Sequence, residues 1–402
     1  MDHLECLLCK KKHPWDIFNP FCPDCGEPMV FCSASRKRAF ALNKKLYLEK
    51  YLDFIPLDGI EAKLSLGEGN TPLVPLPRLV QKYGLPLVLA KNETMNPTGS
   101  FKDRGTSVAV QKACSMGISR IGTVSTGNMA ASTAAYGARA GLKTFIFLKE
   151  DATPEKMLST GIHGAFLFRV SGDYGKLFKL SYDVGRKHDI YFINSIDPLR
   201  IEGYKITGFE IFLELGCRAP RYLFVPVSSG GHIVGLIRSF LDLKKEGLIN
   251  NLPVIVGVQA KGCSPLARAY AQGKAKYHRL RRAETIAHAI SNPSPPAGNL
   301  VLKLIREYGG LLMAVTDREI LAAQRDLAEF EGIFADPASA TTLAGLIKLS
   351  KDRAFGPKDE AVLVITGSGL KSMETLEQQD IQVYRISLGS LEKSLANLLG
   401  RS

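Results

Sequence analysis

Lys102 stands directly behind a turn of small and polar residues, Asn96-Pro97-Thr98-Gly99-Ser100, and directly ahead of Asp103 and Arg104. Such a stretch is poor core material but suits a loop that opens a helix. Gly99 permits close backbone approach, and Ser100 is the expected N-cap. Lys102 then falls in the first helical turn, where the positive end of the helix dipole opposes a cation. That field, with desolvation, lowers the amine's pKa and favours the neutral nucleophile that Schiff-base chemistry needs. The alternative is an exposed lysine paired with Asp103. On the residues alone both readings stand.

Three other loops are rich in small and polar residues. "STGNMAAS" (125–132) places Ser125, Thr126, Gly127 and Asn128 at a helix start, suited to an anion or hydroxyl group, or to simple capping. In "VSSGGHIVGL" (227–236), Ser228, Ser229, Gly230 and Gly231 offer backbone N–H groups to a phosphate without side-chain obstruction. That loop is neither a P-loop nor a dinucleotide fingerprint. "ITGSGLK" (365–371) ends a strand-like run with Thr366, whose hydroxyl could meet a ring nitrogen or simply terminate the strand.

Cys6, Cys9, Cys22, Cys25 and Cys32, five of eight cysteines, fall in the first 32 residues. Cys6-Leu-Leu-Cys9 and Cys22-Pro-Asp-Cys25 are two C-x-x-C knuckles that together can complete a tetrahedral, closed and therefore structural Zn²⁺ shell. The alternatives are metal-free reduced thiols, or Cys32 or His13 in place of one ligand.

These residues need elements to position them. A chain of 402 residues suffices for two packed domains and a small appendage. The runs "LPLVLAK", "IGTVST", "TFIFL", "AFLFRV", "IYFINS", "RYLFVPV", "PVIVGVQA" and "AVLVITG" read as buried parallel strands. Amphipathic stretches such as "GTSVAVQKACSMG", "NMAASTAAYGARAG" and "DREILAAQRDLAEFEG" lie between them. The pattern predicts an α/β fold of mainly parallel sheets with ligands at the carboxyl ends of strands. A zinc-ribbon-like segment at 1–33 is expected, with a helical arm over 33–60. A large domain is expected at 34–104 and 213–402, and a small one inserted at 105–212. The net charge of +13, from 52 basic and 39 acidic residues, is scattered and not interleaved with aromatics. It reads as a solvated basic surface rather than a nucleic-acid tract, and positive charge can equally serve anionic small molecules. No apolar run is long enough to span a bilayer, and no signal peptide is evident, so the cytosol is expected.

The segments "KNETMNPTGSFKDRG", "STGNMAAS", "INSIDPLRIEGYKITGFE", "EGIFADPASATTLAG" and "ITGSGLK" together resemble the threonine synthase family, in order, from about Leu66 to Lys371. The resemblance implies PLP fold type II, tryptophan synthase β-like: two three-layer αβα domains. It extends to the zinc-ribbon-like N-terminal extension of some members, and implies a homodimer. Carried across, Lys102 matches the lysine that forms the Schiff base with pyridoxal 5'-phosphate (PLP). Asn128 matches the hydrogen-bond donor to the cofactor's 3′-oxygen. Ser228, Ser229, Gly230, Gly231 and His232 match the loop around its phosphate, and Thr366 the residue facing its ring nitrogen. Asn194, Ser195 and Arg200 match residues that hold the substrate phosphate, and Ser125 and Thr126 lie beside the substrate carboxylate. A neutral hydroxyl at the ring nitrogen implies a less cationic ring. The implied reaction removes phosphate from O-phospho-L-homoserine and adds water to give L-threonine.

Two positions depart from the family pattern. Met129 stands where a threonine usually follows the asparagine, and Ser-Ser-Gly-Gly-His replaces the usual Gly-Asn-x-Gly-Asn. Met129, at the substrate position, brings in β-replacement on O-phospho-L-serine, as in cysteate synthase with sulfite. A PLP-fold binding protein without catalysis is the reading from another class.

Overall fold

Runs of branched and aromatic residues between turn residues become strands because they can be buried on both faces of a parallel sheet. The computed structural model describes residues 3–32, 38–352, 355–356, 358–378 and 382–399. Three short strands come first: β1 (His3–Glu5), β2 (Lys12–Pro14) and β3 (Val30–Phe31). Then follow β4 (Leu73–Pro75), α1 (Pro77–Tyr83), β5 (Leu87–Asn92), α2 (Lys102–Ser115), β6 (Arg120–Val124) and α3 (Asn128–Arg139). Next are β7 (Lys143–Lys149), α4 (Pro154–Gly161), β8 (Phe166–Val170), α5 (Tyr174–His188), β9 (Tyr191–Phe192) and α6 (Pro198–Glu214). The chain continues with β10 (Tyr222–Pro226), α7 (Gly231–Lys245), β11 (Val254–Ala260), α8 (Pro265–Ala271), α9 (Gly298–Glu307) and β12 (Leu311–Val315). It closes with α10 (Asp317–Glu331), α11 (Pro337–Asp352), β13 (Glu360–Ile365) and α12 (Leu391–Leu399).

The strands form three sheets. A six-stranded sheet runs β12-β11-β10-β13-β5-β4, parallel except for the edge strand β4. A four-stranded sheet runs β8-β7-β6-β9, all parallel. The N-terminal strands make a small antiparallel sheet, β2-β1-β3. All eight expected strands are present, although "IYFINS" contributes only Tyr191 and Phe192. The expected arm at 33–60 is not an α-helix. Residues 33–37 lie outside the described residues, and the remainder holds a 3₁₀ turn at Leu48–Phe54. Its aromatic residues pack on the core: Tyr51 and Phe54 lie against Phe209 of α6. Among the described residues, no helix is long and apolar enough to cross a membrane.

Helix α6 packs against both α2 and α7 and so joins the layers beside the two large sheets. Its crossing with α2 is close because glycine faces glycine. A Cβ at Gly105 would fall 2.6 Å from the Tyr204 ring and 3.0 Å from the Arg200 carbonyl oxygen. A Cβ at Gly203 would collide with the Arg104 carbonyl oxygen. This backbone-level contact sets Lys102, Arg200 and Tyr204 side by side. Gly203→Ala should therefore lower the thermal midpoint by several degrees, with overpacking costing about 1–3 kcal/mol. Helix propensity alone would favour the alanine by about 1 kcal/mol, so a stabilised variant would contradict the close crossing. Gly59→Ala, at a position with nothing within 4 Å, is the neutral control.

Candidate active site

Lys102 is the first residue of α2. Phe101, already helical, occupies the cap position with no side-chain bond. Ser100 is therefore not the N-cap that the sequence suggests; it is buried, and its Oγ has no hydrogen-bond partner. The loop is held by the segment that follows β13 instead. Phe101 N–H donates to the Thr366 carbonyl at 3.0 Å, and Ser368 N–H to the Gly99 carbonyl at 3.0 Å. Asp103 does not pair with Lys102 either. It accepts from Thr98 N–H at 2.7 Å and Thr98 Oγ1 at 2.6 Å.

That leaves the Lys102 amine without an ion pair or hydrogen bond among the described residues. It lies 4.3 Å from the centre of the Phe101 ring and 5.7 Å from that of Tyr204. Burial, and secondarily the charge of Arg200, pull its pKa down to about 7. His232 stacks on Phe101 with ring centres 3.9 Å apart and meets Tyr204 edge-on at 5.5 Å. Both its ring nitrogens are buried without partners. Burial first, then Lys102 and Arg104, hold it well below the usual histidine range, so the imidazole is neutral.

The glycine-rich loop leads into α7, whose first N–H groups have no intrahelical acceptors. Gly230 has φ +98°, open to glycine, and a Cβ there would sit 2.9 Å from that of Ala297. A Cβ at Gly231 would collide with the Ser195 carbonyl oxygen. The expected phosphate loop and the expected substrate segment thus touch backbone to backbone. Ser228 and Ser229 are half-buried, and Ser229 Oγ accepts from Asn292 Nδ2 at 3.1 Å.

Thr366 Oγ1 lies 2.9 Å from Ser339 Oγ. Asn128, first in α3, converges on the same strand end. A Cβ at Gly367 would lie 3.1 Å from Asn128 Nδ2 and 2.7 Å from Asp336 Oδ2. Ser125 Oγ accepts from Gly127 N–H at 3.2 Å, Thr126 is half-buried, and Met129 is buried. Ser195 is buried, and its side chain makes no hydrogen bond among the described residues.

Two of the expected substrate residues are more committed than the sequence implies. Asn194 is fully buried; its Oδ1 accepts from Val124 N–H at 2.8 Å and Thr123 Oγ1 at 3.3 Å, and its Nδ2 donates to Ser181 at 3.0 Å. Arg200, also fully buried, donates from Nε to the Ile193 carbonyl at 2.6 Å and from its terminal nitrogens to Thr106 at 2.8 Å and Thr133 at 2.6 Å. One hydrogen on each terminal nitrogen lies beyond these three bonds. Sequence reasoning missed Phe101, Tyr204, Asp336 and Ser339. For the last two the signal was a carboxylate inside the small, apolar run "FADPASATT".

Away from this cleft, the Sγ atoms of Cys6, Cys9, Cys22 and Cys25 all lie within 4.8 Å of one another. Cys6 to Cys25 is 3.4 Å and Cys9 to Cys22 is 3.6 Å. His13 borders the group, with Nε2 3.6 Å from Cys22 Sγ, whereas Cys32 bonds Glu5 at 3.4 Å.

A lysine without an ion pair among the described residues, at a helix start and faced by a glycine-lined helix N-terminus in a fold of two mainly parallel sheets, points to a class. Residues 64–367 match the family described as "Pyridoxal-phosphate dependent enzyme". Within that class the chain belongs to the threonine synthase family. It is 35% identical over 384 residues to the threonine synthase of Methanosarcina acetivorans, covering 94% of each chain. It is 38% identical over 323 residues to that of Methanocaldococcus jannaschii, covering 80% of each. Solved structures agree on the fold. An L-serine ammonia-lyase from Rhizomucor miehei superposes with TM-score 0.66 at 19% identity, over 77% of this chain and 97% of that one. Maize serine racemase gives 0.64 at 20%, over 83% and 93%.

In protein stripped of cofactor, the rate at which Lys102 condenses with a small aldehyde should rise through about pH 7. The amine is reactive only when deprotonated, and its lowered pKa moves that form into the neutral range. Titration near the ordinary lysine value of about 10.4 would contradict the environment described.

Proposed function

We propose that this chain converts O-phospho-L-homoserine to L-threonine with release of phosphate, using PLP carried on Lys102. The observation that carries the reading is the unpartnered, desolvated Lys102 amine. The surroundings fit the cofactor. The start of α7 presents free N–H groups for a phosphate, and the Ser100 hydroxyl and both His232 nitrogens are buried polar groups without partners. Bound there, PLP would supply an electron sink that acidifies hydrogens on the substrate carbons.

The chain's own residues do the rest. Lys102 holds the cofactor aldehyde and, once displaced, is a base of suitable strength to move protons at the substrate carbons. Ser228, Ser229, Gly230, Gly231 and His232 hold the cofactor phosphate, Asn128 its 3′-oxygen and Thr366 its ring nitrogen. Ser125 and Thr126 take the substrate carboxylate. Ser195 and the remaining Arg200 hydrogens take the substrate phosphate, while Asn194 acts indirectly by fixing the end of β6 next to them. The reading includes a small unit at 105–212 inserted in a large one, and a cytosolic homodimer, the last by analogy with the class.

Met129 favours a second reading. Its buried thioether cannot donate a hydrogen bond where the family pattern usually has a hydroxyl. This suits β-replacement on O-phospho-L-serine, which needs fewer proton transfers. With purified enzyme, phosphohomoserine should release phosphate and yield threonine. Turnover of phosphoserine alone or with sulfite, and none of phosphohomoserine, would replace the first reading with the second. Lys102→Ala should abolish activity and borohydride fixation of the cofactor. Colourless protein that takes up no added PLP would sink both.

We also propose that Cys6, Cys9, Cys22 and Cys25 hold a structural Zn²⁺, since their sulfur spacing is near the roughly 3.8 Å edge of a tetrahedron with Zn–S of about 2.3 Å. Purified protein should contain one zinc per chain. Chelation or Cys9→Ser should lower thermal stability, and an unchanged midpoint after metal removal would count against the site.

A further inference from the structure

Tyr204 is wholly buried on α6, one helical turn after Arg200, so the two side chains share a face. It is wedged between glycines of two neighbouring helices. A Cβ at Gly105 of α2 would fall 2.6 Å from its Cε1, and one at Gly235 of α7 would fall 2.8 Å from its Cβ. Phe101 and His232 pack on the same ring, with centres 5.1 and 5.5 Å away. The side chain has little room to swing, and its hydroxyl is fixed in place. That hydroxyl is buried and has no hydrogen-bond partner among the described residues. It lies near Arg200, whose charge acts on it, without a bond of ordinary geometry. A buried tyrosine hydroxyl normally finds a partner. The acids around it are spent: Asp103 on Thr98, and Asp197 on Tyr191 and the first turn of α6. Arg200 has no acceptor to offer it. Burial raises its pKa, with Arg200 offsetting this, so at neutral pH the hydroxyl keeps its proton and is a donor.

We infer that the Tyr204 hydroxyl is a further ligand of the substrate, donating a hydrogen bond to its phosphate group beside Arg200, and so helps select phosphorylated amino acids over unphosphorylated ones. This rests on the proposed placement of the substrate phosphate at Ser195 and Arg200, which both readings of the reaction share. A phosphate ester spreads two negative charges over its outer oxygens and needs several donors. Arg200 has one hydrogen left on each terminal nitrogen, the others being held by Thr106 and Thr133, and Ser195 adds a hydroxyl. Tyr204 supplies the next donor. A neutral one suits this place, since the charge of Arg200 already opposes protonation of Lys102. The Lys102 amine lies 5.7 Å from the Tyr204 ring centre, so a phosphate held there stays in the cleft that carries the reacting group. The role is one of binding, and no proton is transferred.

The test is Tyr204→Phe, which removes one oxygen and keeps the ring between its glycines. Variant and wild-type holoenzyme are titrated by cofactor absorbance with O-phospho-L-homoserine, O-phospho-L-serine and L-threonine. Inorganic phosphate is measured as a competitor of the phosphorylated ligands. Loss of one hydrogen bond to a charged group should weaken inorganic phosphate, and each phosphorylated ligand that wild type binds, by about tenfold or more. Affinity for L-threonine, which has no phosphate, and retention of PLP should be unchanged. Unaltered phosphate affinity overturns the inference. Equal weakening of L-threonine overturns it too, because the hydroxyl would then shape the cleft as a whole. Weakened retention of PLP assigns the hydroxyl to the cofactor and likewise overturns it. Turnover by wild type separates the two ideas. No phosphate released from phosphohomoserine defeats the proposed function, even where Tyr204→Phe weakens inorganic phosphate. Normal turnover with an unaffected variant defeats only this inference.

Discussion

A lysine is a nucleophile at neutral pH only if no carboxylate holds its proton, and the centre of this molecule is arranged to satisfy that condition. Asp103, next in sequence, is committed to Thr98. Glu93 and Glu210 are committed to Arg104, at 2.5 and 2.7 Å. Glu210 and Glu214 also serve Lys91, each at 2.7 Å. Asp197 accepts from Tyr191 and caps α6. Each of these acids has another partner, and the one charge that bears on Lys102, that of Arg200, pushes in the same direction as burial. Breaking one of these buried pairs would free a carboxylate as well as remove a contact.

Much of this was legible beforehand. Strands buried on both faces announce themselves as apolar runs, and all eight such runs became strands. Those missed have physical reasons. β4 is an edge strand with Pro75 at its end, where a missing N–H costs no ladder bond. β12 is a half-buried edge strand behind two glycines. "IYFINS" shortens because Asn194 turns the chain back onto Phe192 so that Asp197 can cap α6. Lys102 stood out because a lysine opening a helix is locally unfavourable.

What the sequence could not convey is the state of commitment of each polar group. Asn194 and Arg200 look like ligand-binding residues by type and position, yet both are fully buried and tied to backbone and hydroxyl partners. The partners come from α2, α3, α5 and β6, elements far apart in the chain. The same limit hid Asp336, which bonds Ser339, three residues on, which in turn meets Thr366 from the far end of β13. Motif reading finds residues; whether a donor is spent or free emerges only when donors and acceptors are counted in space.

The N-terminal ribbon touches elements beside both large sheets. Lys303 of α9 donates to the carbonyl of Leu7, inside the first cysteine knuckle, at 2.6 Å, and Asn299 bonds Glu27 at 2.7 Å. On the other side, Asp16 pairs with Arg186 of α5, and Phe21 packs edge-on to Tyr182 at 5.7 Å. The N-terminal segment thus bridges α5 and α9. Any movement of α5 away from α9 must first stretch or release those contacts.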